Sequence, residues 1–213
     1  YIFSYQFIKY DLPFTSQLFM SNIQLNGSED LITEAHTRFF QINVEAINMT
    51  VLNSSFLMTL ESAFNVVFGL PSTFYFNRIL NTDQSISFLE TSNPQNYYNN
   101  NYTLYVYDYK EVSLLLRNPV PGYAFELQHS YQANITFDQI TSLKTLMEVF
   151  CMTDSKISIS NLFLQTMNID TLFRSYRPFI QLYNPTDFEF TVSNVIIQDY
   201  QASSFVCYST NLN

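Results

Sequence analysis

The sequence is short of several residue types on which common kinds of site depend. Its 213 residues include three glycines, two cysteines, two histidines and no tryptophan. His36 and His129 stand apart from Cys151 and Cys207, and no Cys-x-x-Cys spacing occurs. Zinc sites and catalytic cysteines need such residues in groups. We therefore expect no bound metal and no cofactor.

Charge is also scarce. Charged residues make up 13% of the chain, with 9 basic and 18 acidic side chains and a net charge of −9. No cluster of lysine and arginine occurs. Proteins that bind nucleic acid or anionic membranes usually carry a basic patch, so neither is an expected partner.

Long apolar runs are missing as well. No stretch of about 18 apolar residues could cross a bilayer, so no membrane span is expected in this segment. The chain begins with Tyr1 and carries no recognisable signal sequence. We expect it to be a processed form or a piece of a longer protein.

Aromatic residues are abundant, with 21 phenylalanines and 16 tyrosines. Aromatic and β-branched side chains suit the pleated, half-buried surface of a sheet, so the composition predicts an all-β protein. Two windows, 55–67 and 138–152, have spacing that fits either a helix or a strand.

One short pattern recurs along the chain. It is an apolar alternation, then a polar pair ending in asparagine, then a second apolar run that starts out of step. Residues 157–165 match residues 190–198 by residue class at every position, 33 residues apart. Residues 18–26 fit the same frame, and residues 44–52 fit it more loosely, 26 residues further on.

Each copy predicts two short strands that meet at a corner. Asparagine tolerates the left-handed backbone region better than any residue except glycine, and its amide bonds to nearby main chain. In stacked copies the asparagine amides can also bond to one another. The predicted corner residues are Asn22, Asn48, Asn161 and Asn194.

The segments FMSNIQLN, ISISNLFLQ and FTVSNVIIQ resemble coils of the right-handed parallel β-helix of pectin-lyase-like proteins. This resemblance implies a single β-solenoid domain over residues 1–213, or a fragment of a longer one, with about seven coils. An antiparallel β-sandwich is the alternative. Against it, Asn26-Gly27 is the only Asn-Gly hairpin signal in the chain.

The middle of the chain departs from the repeat. Residues 93–101 are rich in asparagine and tyrosine and predict a solvent loop, and the proline-rich segment 118–122 predicts a turn. We therefore expect a loop-rich insertion around residues 93–132.

Many pectin-lyase-like proteins cleave polysaccharides, and the polygalacturonase branch carries an Asn-Thr-Asp triplet that Asn81-Thr82-Asp83 reproduces. Its Asp-Asp, Gly-His-Gly and Arg-x-Lys elements are missing here. We interpret the remaining charged candidates as solvated surface residues and expect no enzyme and no catalytic residue. They are Asp83, Asp108, Lys110, Glu111, Arg117, Asp187 and Glu189.

Two kinds of covalent modification are open to the chain. Five Asn-x-Ser/Thr sequons occur, of which Asn101 is the first choice for a glycan and Asn53, Asn134 and Asn26 are further candidates. The fifth, Asn48, is expected to be an inward corner that cannot be modified. Cys151 and Cys207 form either a disulfide or two buried free thiols.

Together these features favour a non-enzymatic extracellular or cell-surface protein, a glycosylated β-helical subunit of a rod, stalk or filament. Its expected partners are further copies of itself and N-linked glycans. The alternative is a module that binds or cleaves polysaccharide through tyrosines that stack on sugars. Those tyrosines are Tyr97, Tyr98, Tyr102, Tyr105 and Tyr107.

Overall fold

The structure of the chain is a computed structural model whose secondary structure elements are all β-strands. It describes residues 15–26, 38–57, 62–82, 87–92, 101–112, 123–128, 130–142, 145–150, 152–165, 178–198 and 206–209. None of these residues is helical. The two ambiguous windows contribute strands instead, since 55–67 spans the end of one strand and all of the next, and 138–152 does the same.

Fifteen strands are numbered in chain order. They are β1 (Thr15–Ser21), β2 (Gln24–Asn26), β3 (Arg38–Asn43), β4 (Ala46–Leu57), β5 (Ser62–Val67), β6 (Ser72–Thr82), β7 (Ser87–Ser92), β8 (Tyr102–Val112), β9 (Tyr123–Gln128), β10 (Asn134–Ser142), β11 (Thr145–Phe150), β12 (Thr153–Gln165), β13 (Ile180–Tyr183), β14 (Thr186–Gln198) and β15 (Val206–Ser209).

The strands form two sheets, and the chain alternates between them. The first sheet has the order β1-β4-β6-β8-β10-β12-β14, with β2 also paired to β4. The second has the order β15-β13-β11-β9-β7-β5-β3. We call a long strand of the first sheet together with the short strand that follows it a repeat unit. Seven such units are stacked in chain order in the part of the chain that the structure describes.

Every strand pair among the described residues is parallel. The antiparallel sandwich is therefore wrong. Two parallel sheets that gain one strand each per unit are compatible with the predicted parallel β-helix. The middle of the chain joins this stack, because β8 and β9 take regular places in the two sheets, while 93–100 and 113–122 lie outside the described residues.

The core runs between the two sheets through the whole stack. In each long strand the inward positions before the bend carry apolar side chains that lie above one another. One column of this kind contains Met20, Val51, Phe76, Val106, Phe137, Ile159 and Val192. The five middle members are buried, whereas Met20 and Val192, in the first and last units, are partly exposed.

Phenylalanine rings fill the centre of this core. Phe88 is fully buried and lies within 5.2 to 5.8 Å, between ring centroids, of five other rings. All five of these contacts are edge-on or tilted, which is a geometry that aromatic pairs prefer. The rings are Phe56, Phe64, Phe76, Tyr109 and Phe125.

Candidate functional site

Each long strand of the first sheet has a bend at a residue with a left-handed backbone, which lies within the strand or, for β1, directly after it. These residues form the first corner column, and their φ angles lie between 47° and 57°. Their neighbours are in register, so the bends lie above one another. The column consists of Asn22, Asn53, Arg78, Asp108, Gln139, Asn161 and Asn194.

Three predicted corner residues, Asn22, Asn161 and Asn194, occupy this column. Asn48 does not, and its prediction as a corner is corrected by the structure. Asn48 lies inside β4 on the exposed face, and the bend of that strand is at Asn53. The looser sequence match at residues 44–52 therefore places the corner five residues before the observed bend, because the connection between the first two units changes the spacing.

Side chains of the first corner column bond along the stack at its C-terminal end. Asn194 Nδ2 donates to Asn161 Oδ1 at 3.1 Å, and Asn161 Nδ2 donates to Asp138 Oδ1 at 2.7 Å. Ser160 Oγ donates to the same Asp138 oxygen at 2.8 Å. An amide ladder thus connects the last three units and ends on a carboxylate.

A second corner column lies at or just before the start of the last three long strands and was not predicted from the sequence. Gln132, Asp154 and Asp187 have φ between 47° and 48° and stack in consecutive units. Gln132 Nε2 donates to Asp154 Oδ2 at 3.0 Å. Two of the three are aspartates, which resemble asparagine in their tolerance of this conformation, so the sequence marks this column by aspartate and not by asparagine.

Where the strands bend, some backbone groups lose their hydrogen bonds to the neighbouring strand, and buried serine hydroxyls bond to these groups instead. Ser155 Oγ accepts from the amide of Ala133 in the preceding unit at 2.9 Å and donates to the carbonyl of Thr153 at 2.7 Å. Ser54 makes the same pair of bonds, from the Ile23 amide and to the Leu52 carbonyl. A buried amide without a partner is costly, so these hydroxyls stabilise the corners.

The predicted tyrosine surface is rearranged by the fold. Tyr105 and Tyr107 are exposed on the outer face of β8. In register beside them on β6 lie Tyr75 and Asn77, and Asn77 Nδ2 donates to the Tyr75 hydroxyl at 3.2 Å. We call these four residues the tyrosine face. Tyr97 and Tyr98 lie outside the described residues.

Tyr102 is not part of that face, because its side chain points into the core. It is buried, and its hydroxyl lies 2.7 Å from Ser130 Oγ. Burial raises the pKa of Tyr102 above its ordinary value, and the hydrogen bond to Ser130 offsets this only in part. Its role is structural.

A polar group is buried where β6, β8 and β10 end. Asn81 Nδ2 donates to the Tyr109 hydroxyl at 2.9 Å, and Ser142 Oγ donates to Glu111 Oε2 at 3.1 Å. Burial, followed by the Glu111 carboxylate, raises the pKa of Tyr109 well above its ordinary value, against the smaller opposite effect of the Asn81 bond. Glu111 was predicted to be a solvated surface charge, but it is 5% exposed and faces inward.

The two buried tyrosines predict a loss of stability at alkaline pH. Their folded-state pKa values exceed the value of about 10 expected when unfolded. Their contribution is therefore complete below pH 10 and declines as the unfolded phenols ionise, by about 1.4 kcal/mol per pH unit for each tyrosine. In urea titrations between pH 8 and 12, the variant carrying Tyr102→Phe and Tyr109→Phe should lose stability less steeply than the wild type. Identical slopes would contradict this.

The remaining acidic candidates do not converge on one place. Asp108 is an exposed corner residue, Asp187 is exposed in the second corner column, and Glu189 pairs with Lys156 at 3.0 Å on the outer face. No group of three or more metal-binding side chains is found in the part of the chain that the structure describes. Lys110 is exposed, while Asp83 and Arg117 lie outside that part.

The polygalacturonase-like triplet begins inside the protein. Asn81 and Thr82 are buried at the end of β6, 0% and 6% exposed. A substrate-binding triplet must present its side chains to solvent. These two residues of the motif therefore stabilise the fold, and their position gives no support to a glycosidase site.

A further polar column on the outer face of the second sheet was also missed. Glu90, Glu126 and Glu148 lie in register on three consecutive strands, between the buried Asn65 and Gln181. All three glutamates are half-buried and have interaction partners. They lie about 36 and 22 residues apart in sequence, so only the strand register brings them together.

The described sequon asparagines are all on the surface. Asn53, Asn101 and Asn134 are exposed, and so is Asn48, which was expected to face inward. The Asn26 side chain is outside the described part. Of the cysteines, Cys207 lies in β15 without a described side chain, and Cys151 lies outside the described residues, as do His36 and His129, so the disulfide stays a prediction.

Comparisons of the chain with known protein families, curated proteins and solved structures found no match in any of the three. Nor does any helix in the described ranges have the length and apolar character to cross a membrane. The geometry of the described residues is therefore what bears on function.

Proposed function

We propose that this chain is a right-handed parallel β-helix that serves as a structural subunit of a rod, stalk or filament. It has no enzymatic activity in this proposal and acts outside the cell or at its surface. The observation that carries the proposal is that apolar side chains packed against the core are partly exposed at the two ends of the stack.

Partly exposed apolar side chains that pack against the core come only from the first and last repeat units, within the described ranges. Apolar inward positions of the units between them are buried. The residues concerned are Leu18, Met20, Leu25, Phe39, Phe40, Val44, Phe188, Phe190, Val192, Val195 and Val206. Repeat proteins that remain separate usually carry polar capping units, whereas these ends favour association.

The outer surface also suits a structural role. It carries few charges, and its columns of amides, hydroxyls and acids hold neighbouring units together through bonds such as Asn194 to Asn161. Glycans on the exposed Asn101, Asn53 and Asn134 would keep the sides of the rod soluble. Association would then be directed to the ends.

Electron microscopy of the purified chain, with light scattering over a range of concentrations, tests this proposal. We expect elongated assemblies whose length grows with concentration. Intact-mass measurement before and after enzymatic deglycosylation of material from the source tests the glycans. Dispersed monomers at high concentration would contradict the structural role.

A second candidate is a polysaccharide-binding module, and the tyrosine face favours it. Tyr75 beside Tyr105, with Tyr107 two residues further along β8, places three rings on one outer face, and sugars bind by stacking on aromatic rings. Affinity electrophoresis in gels with neutral and acidic polysaccharides tests it. Retardation that is lost in the Tyr105→Ala, Tyr107→Ala double variant would support this function, and no retardation would rule it out.

A further inference from the structure

The edge strands of the first sheet, β1 and β14, have matching patterns. Both have apolar residues at two alternate inward positions, then Ser-Asn, and then a second run with apolar residues at its inward positions. In β14 those inward positions are Phe190, Val192, Val195 and Ile197, and in the first unit they are Leu18, Met20, Ile23 and Leu25. The end of one copy therefore repeats the pattern that the start of another presents.

We propose that copies of this chain stack head to tail, so that β14 of one copy pairs in parallel with β1 and β2 of the next. Asn194 would lie opposite Asn22 and continue the first corner column across the junction. This inference rests on the proposed structural function and adds its partner, a second copy, and its register.

The second sheet supports the same register. Continuing its columns places Val206 of β15 opposite Phe40 of β3, in line with Phe64 and Phe125. Val206 and Phe40 both belong to the partly exposed end residues. One docking movement along the stack thus covers the apolar rows of both sheets.

Charges do not oppose this register. Glu189 of β14 already pairs with Lys156 on one side and would face the neutral Gln17 on the other. Asp187 would face Thr15. Like charges directly opposite each other on adjacent strands are destabilising, and the junction contains no such pair in these strands.

Two adjacent exposed residues near the end of β14 distinguish the inward face of this strand from its outward face. Ile197 is 53% exposed although it lies in register with Leu164, which is fully buried. Ile196, which is 62% exposed, lies in register with the outward Phe163. Stacking of a second copy would cover Ile197 and leave Ile196 on the side of the rod.

Disulfide crosslinking in the full chain tests the register. In the proposed junction Ser21 and Ser193 lie opposite each other, and Cα atoms of adjacent strands, about 5 Å apart, are within disulfide range. We expect mixed S21C and S193C proteins to give a linked peptide that contains both positions. The control mixture of T15C and S193C places the cysteines about 20 Å apart and should give no such peptide.

Substitution of the two isoleucines tests the contact without a crosslink. Ile197→Lys should lower the association constant at least about tenfold, because it places a charge against an apolar row. Ile196→Lys should leave association within about twofold. Circular dichroism of both variants checks that they keep the wild-type strand content.

The outcomes separate this inference from the proposed function. Assemblies without the 21–193 crosslink, or equal effects of the two lysine variants, would overturn the head-to-tail register and leave the structural role standing. Monomers at all concentrations would overturn both. A crosslink at 21–193 together with weaker association of Ile197→Lys alone would support both.

Discussion

Replacing Phe88 by alanine is expected to lower the free energy of unfolding by about 3–5 kcal/mol. The Phe88 ring is fully buried and contacts five other rings from both sheets, with centroids 5.2 to 5.8 Å away. Its removal deletes both the buried apolar area and the edge-on aromatic contacts, and β7 is held between parallel neighbours that cannot collapse into the space.

Urea titration followed by circular dichroism measures this effect. Two further variants act as controls. Phe88→Leu keeps most of the volume and should cost less than the alanine substitution, while Phe19→Ala, at a side chain 69% exposed on the outer face of β1, should change stability by less than about 0.5 kcal/mol. A Phe88→Ala loss no greater than that of Phe19→Ala would show that this cluster does not hold the two sheets together.

The all-β class and the parallel stack were predictable because they depend on residue type and on a repeated pattern. Phe, Tyr and β-branched residues suit strands, and the Ser-Asn copies at 157–165 and 190–198 are adjacent strands in the register that their alignment predicts. Periodicity alone left 55–67 and 138–152 open, since each window spans the end of one strand and all of the next, and its apolar positions therefore follow no single strand period.

The corners were only partly predictable because a corner is defined by its backbone conformation, which several residue types adopt in this chain. Arg78 and Gln139 take the same left-handed φ as Asn161, although neither residue favours it. The packing of the neighbouring units imposes the bend there. Asn48 shows the opposite case, a residue that suits a corner but lies in a straight part of β4.

The polar columns could not be found from the sequence because they depend on register between strands far apart in the chain. Asn81, Glu111 and Ser142 come together only when β6, β8 and β10 are aligned, and Tyr75 meets Tyr105 for the same reason. Connections of variable length between the strands hide this alignment. Because of the same variation, the corner predicted at Asn48 lies five residues before the observed corner at Asn53.

The second large effect is expected for Asn161→Val, which should lower the free energy of unfolding by about 2–3 kcal/mol. Asn161 has φ of 52°, where a β-branched side chain clashes with its own backbone. Valine also cannot replace the amide that donates to Asp138 and accepts from Asn194. Straightening the strand to relieve the clash would move Leu162 and Leu164 out of the core, so the strain is retained.

Two matched variants separate the backbone cost from the loss of the ladder. Asn161→Gly keeps the conformation and deletes the amide, so it should lose only about 0.5–1.5 kcal/mol, which measures the side-chain bonds. Ser158→Val places the same β-branched residue on the outer face of the same strand before the bend, where it should be neutral within about 0.5 kcal/mol. Equal losses for valine and glycine at position 161 would mean that the amide ladder, and not the left-handed bend, is what requires asparagine there.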